Sequence, residues 1–206
     1  MTTKQAAIGF RAHMGWVAAV GITLIDGAPQ LLFSAIIATA PDGDRIAKEP
    51  YHVAAGWDGL TRVKPHPDPA AAVAQGRKTQ ERMASKAIAD IVAELKAKEL
   101  KVAVGAVLAT RGLQSYTLEE ALSHHAHVHV AEGMSVRDAV RYALKANGIP
   151  LREFDQKSLY VEGAKALKLA EARLKRKLTE LRGTAKPWTQ DQKLCALAAW
   201  LALSRV

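Results

Sequence analysis

Residues 8–20 read IGFRAHMGWVAAV, two apolar segments separated by a short turn. The second segment continues as WVAAVGITLI at residues 16–25, and after the turn sequence IDGAPQ a third segment, LLFSAIIA, covers residues 31–38. Short segments rich in apolar and β-branched residues, divided by Gly, Asp and Pro, are typical of strands joined by tight turns. This part of the chain therefore predicts an antiparallel meander of three strands.

The middle of the chain predicts helices that alternate with strands. Residues 41–74 are rich in Pro, Gly and Asp and show no sustained period, so we expect an irregular loop there. Apolar residues recur at helical spacing over 75–100, and the unbroken apolar run VAVGAVL at 102–108 is typical of a strand buried on both faces. A second helix over 117–147 and a last strand, IPLREF at 149–154, follow.

The C-terminal region, residues 157–206, predicts a pair of helices. The first is basic and extends to Arg182, where Gly183 interrupts it, and the second is almost wholly apolar and begins near Thr189. A meander that leads into strand–helix–strand crossovers makes a mixed sheet with helices on its faces. We therefore expect an α/β fold in a single domain over residues 1–206, a length that suits one core.

The chain carries an excess of positive charge, 29 Lys and Arg against 20 Asp and Glu, for a net charge of +9. Much of it lies in AKALKLAEARLKRKLTELR at residues 164–182. This stretch has two interpretations, a solvated helix face or a surface for the phosphates of a nucleic acid. Under the second interpretation the binding residues include Lys165, Lys168, Arg173, Lys175, Arg176 and Lys177.

Composition also bears on location and redox chemistry. No apolar run reaches the ~18 to 20 residues of a membrane-spanning helix, and residues 1–16 lack a signal-peptide cleavage pattern. We therefore expect a cytoplasmic protein without membrane contact. The single cysteine, Cys195, allows neither an internal disulfide nor a cysteine-based zinc site, and its apolar helical surroundings predict a buried, inert thiol.

Four of the seven histidines fall in SHHAHVHVAEG, residues 123–133. On a helix, His125, His129 and Glu132 stand at i, i+4 and i+7 on one face, which suits a divalent metal or a general acid and base near neutral pH. On a strand, His125, His127 and His129 would share a side instead. The helix is favoured because LEEAL precedes the segment and helical spacing follows it. Packed histidines without a chemical role are the alternative.

The order of elements and two motifs resemble the ribonuclease H superfamily, in particular Holliday-junction resolvases of the RuvC kind. Gly9-Phe10 and Gly15-Trp16-Val17-Ala18 fall into the frame of that family's first hairpin, and DQKLCALAAWLAL at 191–203 is similar to its terminal helix. The resemblance implies an RNase H-like mixed sheet, an antiparallel three-strand meander plus two parallel strands, with helices on both faces. It also implies a nucleic-acid partner, DNA or RNA, and allows a homodimer.

The same resemblance implies two divalent metals held by carboxylates at the end of the first strand, around the fourth strand and on the final helix. Here Arg11 stands where the first aspartate is expected, and VAVGAVLATRG at 102–112 carries no acid. Asp191 is the residue that matches the terminal-helix acid. Two hard cations need several oxygen ligands, so this set is too poor in them for two-magnesium catalysis.

Three hypotheses about function follow. In the first, the chain is a nucleic-acid-associated, degenerate RuvC-like domain without catalysis, in which the charge of Arg11 takes the place of metal and contacts nucleic acid. In the second, it is a divergent nuclease that cleaves phosphodiesters with one divalent ion, Mn²⁺, Mg²⁺ or Zn²⁺. Its metal ligands would be His13, His125, His129 and Glu132, and its catalytic residues His125, His129, Glu132 and Asp191, with His13 included if the helix packs near the first hairpin. In the third, it is an enzyme that acts on a small anionic metabolite.

Overall fold

A computed structural model describes residues 4–110, 112 and 115–206 of the chain. Its strands are β1 (Lys4–His13), β2 (Trp16–Ile25), β3 (Ala28–Ala38), β4 (Trp57–Asp58), β5 (Thr61–Arg62), β6 (Leu100–Ala109) and β7 (Leu151–Asp155). Its helices are α1 (Arg45–Lys48), α2 (Pro50–Ala55), α3 (Pro69–Ala97), α4 (Leu118–Ser123), α5 (His125–Ala146), α6 (Leu159–Ala166), α7 (Glu171–Glu180) and α8 (Gln190–Leu203).

Five strands form one mixed sheet in the order β3-β2-β1-β6-β7. β2 pairs antiparallel with β1 and β3, whereas β6 runs parallel to β1 and β7 runs parallel to β6. The turn between β2 and β3 places Asp26 and Gly27 at φ values of 51° and 76°, and a type I′ hairpin turn requires positive φ at both central residues. The predicted meander followed by two parallel strands is confirmed.

Helices cover both faces of the sheet. α8 packs on one face against β1, β2 and β6, in a core that includes Ala7 and Leu197. α3 and α5 pack on the other face, around Ile8 and Val140. Because the neighbours Ala7 and Ile8 point to opposite sides of β1, this strand is buried on both faces. The predicted α/β fold with helices on both faces is confirmed.

α8 lies close to β1 at Gly9. A Cβ added there would lie 1.9 Å from the carbonyl oxygen of Cys195, so the contact requires glycine. Cys195 itself is fully buried, and its thiol donates to the carbonyl oxygen of Ala18 at 3.5 Å. Burial raises the pKa of this thiol, which agrees with the expected inert cysteine.

The prediction of an irregular loop over residues 41–74 is wrong. The segment contains α1, α2, the β4–β5 hairpin and the start of α3. Several of its Asp, Pro and Gly residues lie at helix ends. Asp44 and Asp68 cap α1 and α3 by accepting from backbone amides, while Pro50 begins α2 and Gly56, at φ 73°, ends it.

Two predictions about helix continuity are also wrong. The helix expected over 117–147 divides into α4 and α5 at His124, whose backbone is extended at φ −137° and ψ 141°. The C-terminal region holds α6, α7 and α8 rather than a pair of helices. Lys168, at φ 53°, ends α6 in a left-handed cap in which the Leu169 amide donates to the Ala164 carbonyl, and this cap breaks the expected basic helix.

Within the described ranges, no helix combines the length and the apolar character that crossing a membrane requires.

Candidate functional site

The first candidate site, here called the β1-edge site, consists of Arg11, His13, Gln156 and Asp191. Arg11 and His13 are two residues apart at the end of β1, so their side chains point to the same face of the sheet. This is the face that α8 covers, because Gly9, two residues earlier, contacts α8. Asp191 lies in the first turn of α8, between Thr189 and Gln192, the two residues of its capping box. The alternation of side chains along β1 and the position of the first turn of α8 thus bring Arg11, His13 and Asp191 together.

Asp191 is the central acceptor of the β1-edge site. One of its carboxylate oxygens accepts from the Arg11 guanidinium, and Nε2 of His13 lies 2.9 Å from the other without the alignment of a hydrogen bond. Arg11 Nε also donates to Oε1 of Gln156 at 3.4 Å. The Asp191 side chain is only 17% exposed. A fixed guanidinium therefore neutralises this carboxylate in a place with limited access to water.

His13 is an uncharged member of the site near neutral pH. Its ring stacks on Trp16 with the centroids 4.0 Å apart and the planes 8° from parallel. Burial, and then the positive charge of Arg11, lower the pKa of His13 from its ordinary value of 6.5. The nearby Asp191 does not reverse this direction, because its charge is already compensated by Arg11.

The second candidate site, here called the histidine cluster, consists of His52 from α2 with His125 and His129 from α5. One ring nitrogen from each residue lies within 4.8 Å of the other two. The ring centroids of His125 and His129 are 4.5 Å apart, and that of His52 is 4.7 Å from His129 and 5.5 Å from His125. Residues 125–146 are helical, so the predicted shared helix face is confirmed and the strand alternative is wrong.

Glu132 supports the histidine cluster from the protein interior. Its Oε1 accepts from the backbone amides of Tyr51 at 2.7 Å and His52 at 2.9 Å, and lies 3.2 Å from Nδ1 of His52. Glu132 is 2% exposed, and burial raises the pKa of its carboxyl against the opposing effect of these hydrogen bonds. Within the described part of the chain, its Oε2 is buried without a hydrogen-bond partner. Glu132 therefore orients His52 but keeps one unsatisfied oxygen.

The outer side of the histidine cluster is partly covered by the β4–β5 hairpin. The Trp57 ring stacks on His125 with centroids 4.1 Å apart, and the Arg62 guanidinium lies 4.1 Å from the centre of the Trp57 ring. His129 is exposed. Burial, with the charges of His52 and His125, lowers the pKa of His129. A neutral imidazole is the form that binds metal.

The structure divides the residues predicted for one metal site into two groups. His125 and His129 come together with His52, and Glu132 stands behind His52 rather than beside the other ligands. His13 instead lies against Asp191 and Trp16 in the β1-edge site. The prediction included His13 on the condition that the histidine-bearing helix packs near the first hairpin, but the helix residue that lies against His13 is Asp191 of α8, not a residue of α5.

The predicted nucleic-acid-binding residues lie in the β1-edge site and on or between α6 and α7. Arg11 is 26% exposed and paired with Asp191. Lys177 is half-buried. The other five are exposed, namely Lys165, Lys168, Arg173, Lys175 and Arg176.

Comparison with known proteins gives matches among solved structures. No protein-family model and no curated protein matches the sequence. Thermus thermophilus RuvC in complex with a Holliday junction substrate matches with a TM-score of 0.54 at 10% identity, covering 98% of this chain and 94% of that chain. Another structure of Thermus thermophilus RuvC matches with a TM-score of 0.52 at 12% identity, covering 97% and 95%. The yeast mitochondrial Holliday junction resolvase Ydc2 gives 0.43 at 14% identity, covering 97% and 80%.

The chain has an RNase H-like fold of the RuvC type. At this level of identity the likeness establishes the fold and leaves activity to the residues. The β1-edge site lies at the end of the first strand and the start of the final helix. The resemblance to RuvC-type resolvases implies carboxylates that hold divalent metals at this place.

The residues of the β1-edge site do not fit those metals. Arg11 places a guanidinium against the Asp191 carboxylate, so an ion at Asp191 would meet a fixed positive charge. The end of β6 contributes Ala109 and Thr110 rather than an acid. Hard cations such as Mg²⁺ need several oxygen ligands, and this arrangement offers a carboxylate that is already paired.

Sequence reasoning missed two members of these sites, His52 and Gln156. His52 lies in α2, and Pro50 at the first helical position with Gly56 just past the end is a recognisable helix signal. That signal would have revealed the helix, although not its contact with α5. No sequence signal that we recognise points to Gln156, which reaches Arg11 from the end of β7.

Proposed function

We propose that this protein binds nucleic acid through the surface of α6 and α7 and that its β1-edge site is non-catalytic. The observation that carries the proposal is the exposed set of basic residues on and between these helices. In the described part of the chain, Lys175 is the member of this set that forms an ion pair, with Glu171 at 2.6 Å. Lys165, Lys168, Arg173 and Arg176 are thus available to phosphates.

This basic surface adjoins the β1-edge site. α6 begins three residues after Gln156, which accepts from Arg11. Gln190, at the start of α8, donates to the Tyr160 hydroxyl of α6 at 3.2 Å. A nucleic acid held on α6 and α7 would therefore lie near Arg11, whose guanidinium supplies positive charge where a RuvC-type nuclease would hold metal.

The likeness to RuvC guides the choice of ligand. One of the matching RuvC structures is in complex with a Holliday junction substrate, and it shares this fold over 98% of the present chain. We infer only the class of ligand, a polyanionic nucleic acid, and take four-way junction DNA as the first probe, with plain duplex and RNA for comparison.

A metal-dependent nuclease is the second candidate function, and the histidine cluster favours it. His129 is exposed, so an ion held by the cluster would be accessible to a phosphodiester. Such an enzyme would not use the metal position of the RuvC-type fold, since Asp191 is paired with Arg11. The two candidates differ in the change that abolishes function. Nucleic-acid binding would be lost with the basic residues, whereas nuclease activity would be lost with the metal ion.

The first candidate is tested by the binding of fluorescent junction DNA over a series of salt concentrations. For the wild type, the logarithm of the binding constant should fall linearly with the logarithm of the salt concentration, since binding to phosphates releases counterions. The variant Lys168→Ala/Arg173→Ala/Arg176→Ala should bind about tenfold more weakly or worse at low salt. Its slope should be shallower by up to about 2.7, at ~0.9 for each phosphate that the variant no longer neutralises.

A matched variant removes the same charge elsewhere. Lys96→Ala/Lys98→Ala/Lys101→Ala changes exposed lysines near the start of β6, and because β1 and β6 are parallel, that end of the sheet is opposite the β1-edge site. This variant should keep the wild-type slope. A flat salt dependence in the wild type, or an equal loss of affinity in the two triple variants, would contradict the proposed surface.

A further inference from the structure

We propose that His52, His125 and His129 form a binding site for a divalent transition metal of the zinc class, in which Glu132 is a positioning residue for His52. The proposal adds a metal site outside the metal position of the RuvC-type fold and does not depend on nucleic-acid binding. His52 is the ligand that brings the two helices α2 and α5 into one site.

The donor set matches the preferences of zinc. Three imidazoles with one further position open to water or substrate are a known arrangement around Zn²⁺, at Zn–N distances of about 2.0 to 2.1 Å. In the cluster one nitrogen of each ring already lies within 4.8 Å of the other two, so small side-chain rotations bring them onto one ion. Nitrogen donors favour Zn²⁺, Co²⁺ or Ni²⁺, whereas Mg²⁺ and Ca²⁺ require oxygen.

Glu132 supplies the outer contact that metal-binding histidines usually have. A carboxylate beside one ring nitrogen fixes the tautomer and leaves the other nitrogen for the metal. Oε1 of Glu132 lies 3.2 Å from Nδ1 of His52, and the backbone amides of Tyr51 and His52 hold that same oxygen in place. Nδ1 of His52 is thereby set to donate to Glu132, and Nε2 is the nitrogen left for an ion.

The burial of Glu132 is easier to explain with a cation nearby. An ionised carboxylate that is 2% exposed costs free energy unless opposite charge or hydrogen bonds compensate it. Among the described residues, Oε2 of Glu132 has no hydrogen-bond partner. A divalent cation bound to His52 would place positive charge on the far side of the imidazole ring that Glu132 contacts. This charge would offset part of the free-energy cost of burying the carboxylate.

The experiment measures metal binding to the full chain, produced without a histidine tag and freed of metal with a chelator. Titration with Zn²⁺ should give one ion per chain, and Co²⁺ should produce the visible absorption bands of a nitrogen-ligated ion. His129→Ala should lose the bound ion, and because His129 is exposed, its replacement should leave the apo fold intact. His124→Ala is the matched control, since His124 is an exposed histidine of the same segment and lies outside the cluster.

The positioning role of Glu132 is tested by Glu132→Gln, which keeps the size and the acceptor oxygen of the side chain. Its Zn²⁺ affinity should be weaker by about 10- to 100-fold with the stoichiometry unchanged. No binding by the wild type, equal binding by the wild type and His129→Ala, or an equal loss in His124→Ala would overturn the site. Unchanged affinity in Glu132→Gln would overturn the role of Glu132. Junction DNA binding, measured on the same samples, is expected to persist in His129→Ala, so failure of either proposal is visible separately.

Discussion

At the scale of single residues, Arg11 decides the chemistry of the β1-edge site. A carboxylate at this position would add negative charge beside Asp191 and attract cations. The guanidinium neutralises Asp191 instead, and after burial its positive charge is the second cause that lowers the pKa of the neighbouring His13. The pairing of Arg11 with Asp191, together with Ala109 and Thr110 in place of an acid at the end of β6, leaves this end of the sheet without the oxygen ligands that a hard cation needs.

The titration of His13 tests this account of the charges. Burial and Arg11 lower its pKa, so the NMR titration midpoint of the His13 ring should lie below about 6.5. In Arg11→Gln the midpoint should move up, because the like charge is gone and Asp191 is free to pair with the imidazolium. Among the described residues, the charged groups that face His13 are Arg11 and Asp191. Asp191→Asn removes the charge of Asp191 and is the control for its effect on the midpoint.

The sign of the effect on stability follows from the same shift. The folded state binds the His13 proton less tightly than the unfolded state does, so the contribution of this residue to stability is complete above about pH 6.5. It decreases as the pH falls through the lowered folded pKa. A wild-type midpoint above about 6.5 would contradict the assigned charges.

At the scale of elements, the position of α8 depends on the missing side chain of Gly9. The Cβ of any other residue would lie 1.9 Å from the backbone oxygen of Cys195, and backbone cannot rotate away as a side chain can. This close approach brings the first turn of α8, and with it Asp191, to the end of β1.

Gly9→Ala should therefore destabilise the fold by about 3 kcal/mol or more, through overpacking between strand and helix. Gly133→Ala in α5 is the matched control, because a Cβ there meets nothing within 4 Å. The control should gain about 0.5 to 1 kcal/mol from the higher helix propensity of alanine. Urea unfolding of both variants measures the difference, and a Gly9→Ala protein as stable as the wild type would refute the close approach.

The sequence predicted those elements whose periodicity or turns are local. The meander, the β6 run and the helical face of His125 and His129 are examples, because adjacent residues alone determine them. The composition of segment 41–74 predicts a loop because helix caps use the same Asp, Pro and Gly as loops. The break at Lys168 had no signal, since a left-handed cap is ordinarily glycine. His52 joins the cluster through tertiary packing between α2 and α5, which spacing along the chain does not encode.

At the scale of the whole molecule, the basic surface of α6 and α7 and the histidine cluster lie on different faces of the sheet. α6 and α7 pack in the same core as α8, through Leu159 and Leu174, whereas α5 packs on the opposite face of the sheet around Val140. The basic residues proposed to bind phosphates and the histidine cluster can therefore be changed independently. The proposed histidine site for metal therefore lies on the face of the sheet opposite the β1-edge site.

This layout predicts how magnesium affects nucleic-acid binding. With Asp191 paired to Arg11, Mg²⁺ finds no suitable oxygen set at the β1-edge site and acts only as a counterion that competes with the basic surface. Junction DNA should therefore bind tightly in the presence of a chelator and more weakly as millimolar Mg²⁺ is added, without strand cleavage. Fluorescence anisotropy with denaturing gels of the same samples measures both effects. If binding instead required Mg²⁺, or if Mg²⁺ produced cleavage that Asp191→Asn removed, the β1-edge site would hold metal and its assignment as non-catalytic would be wrong.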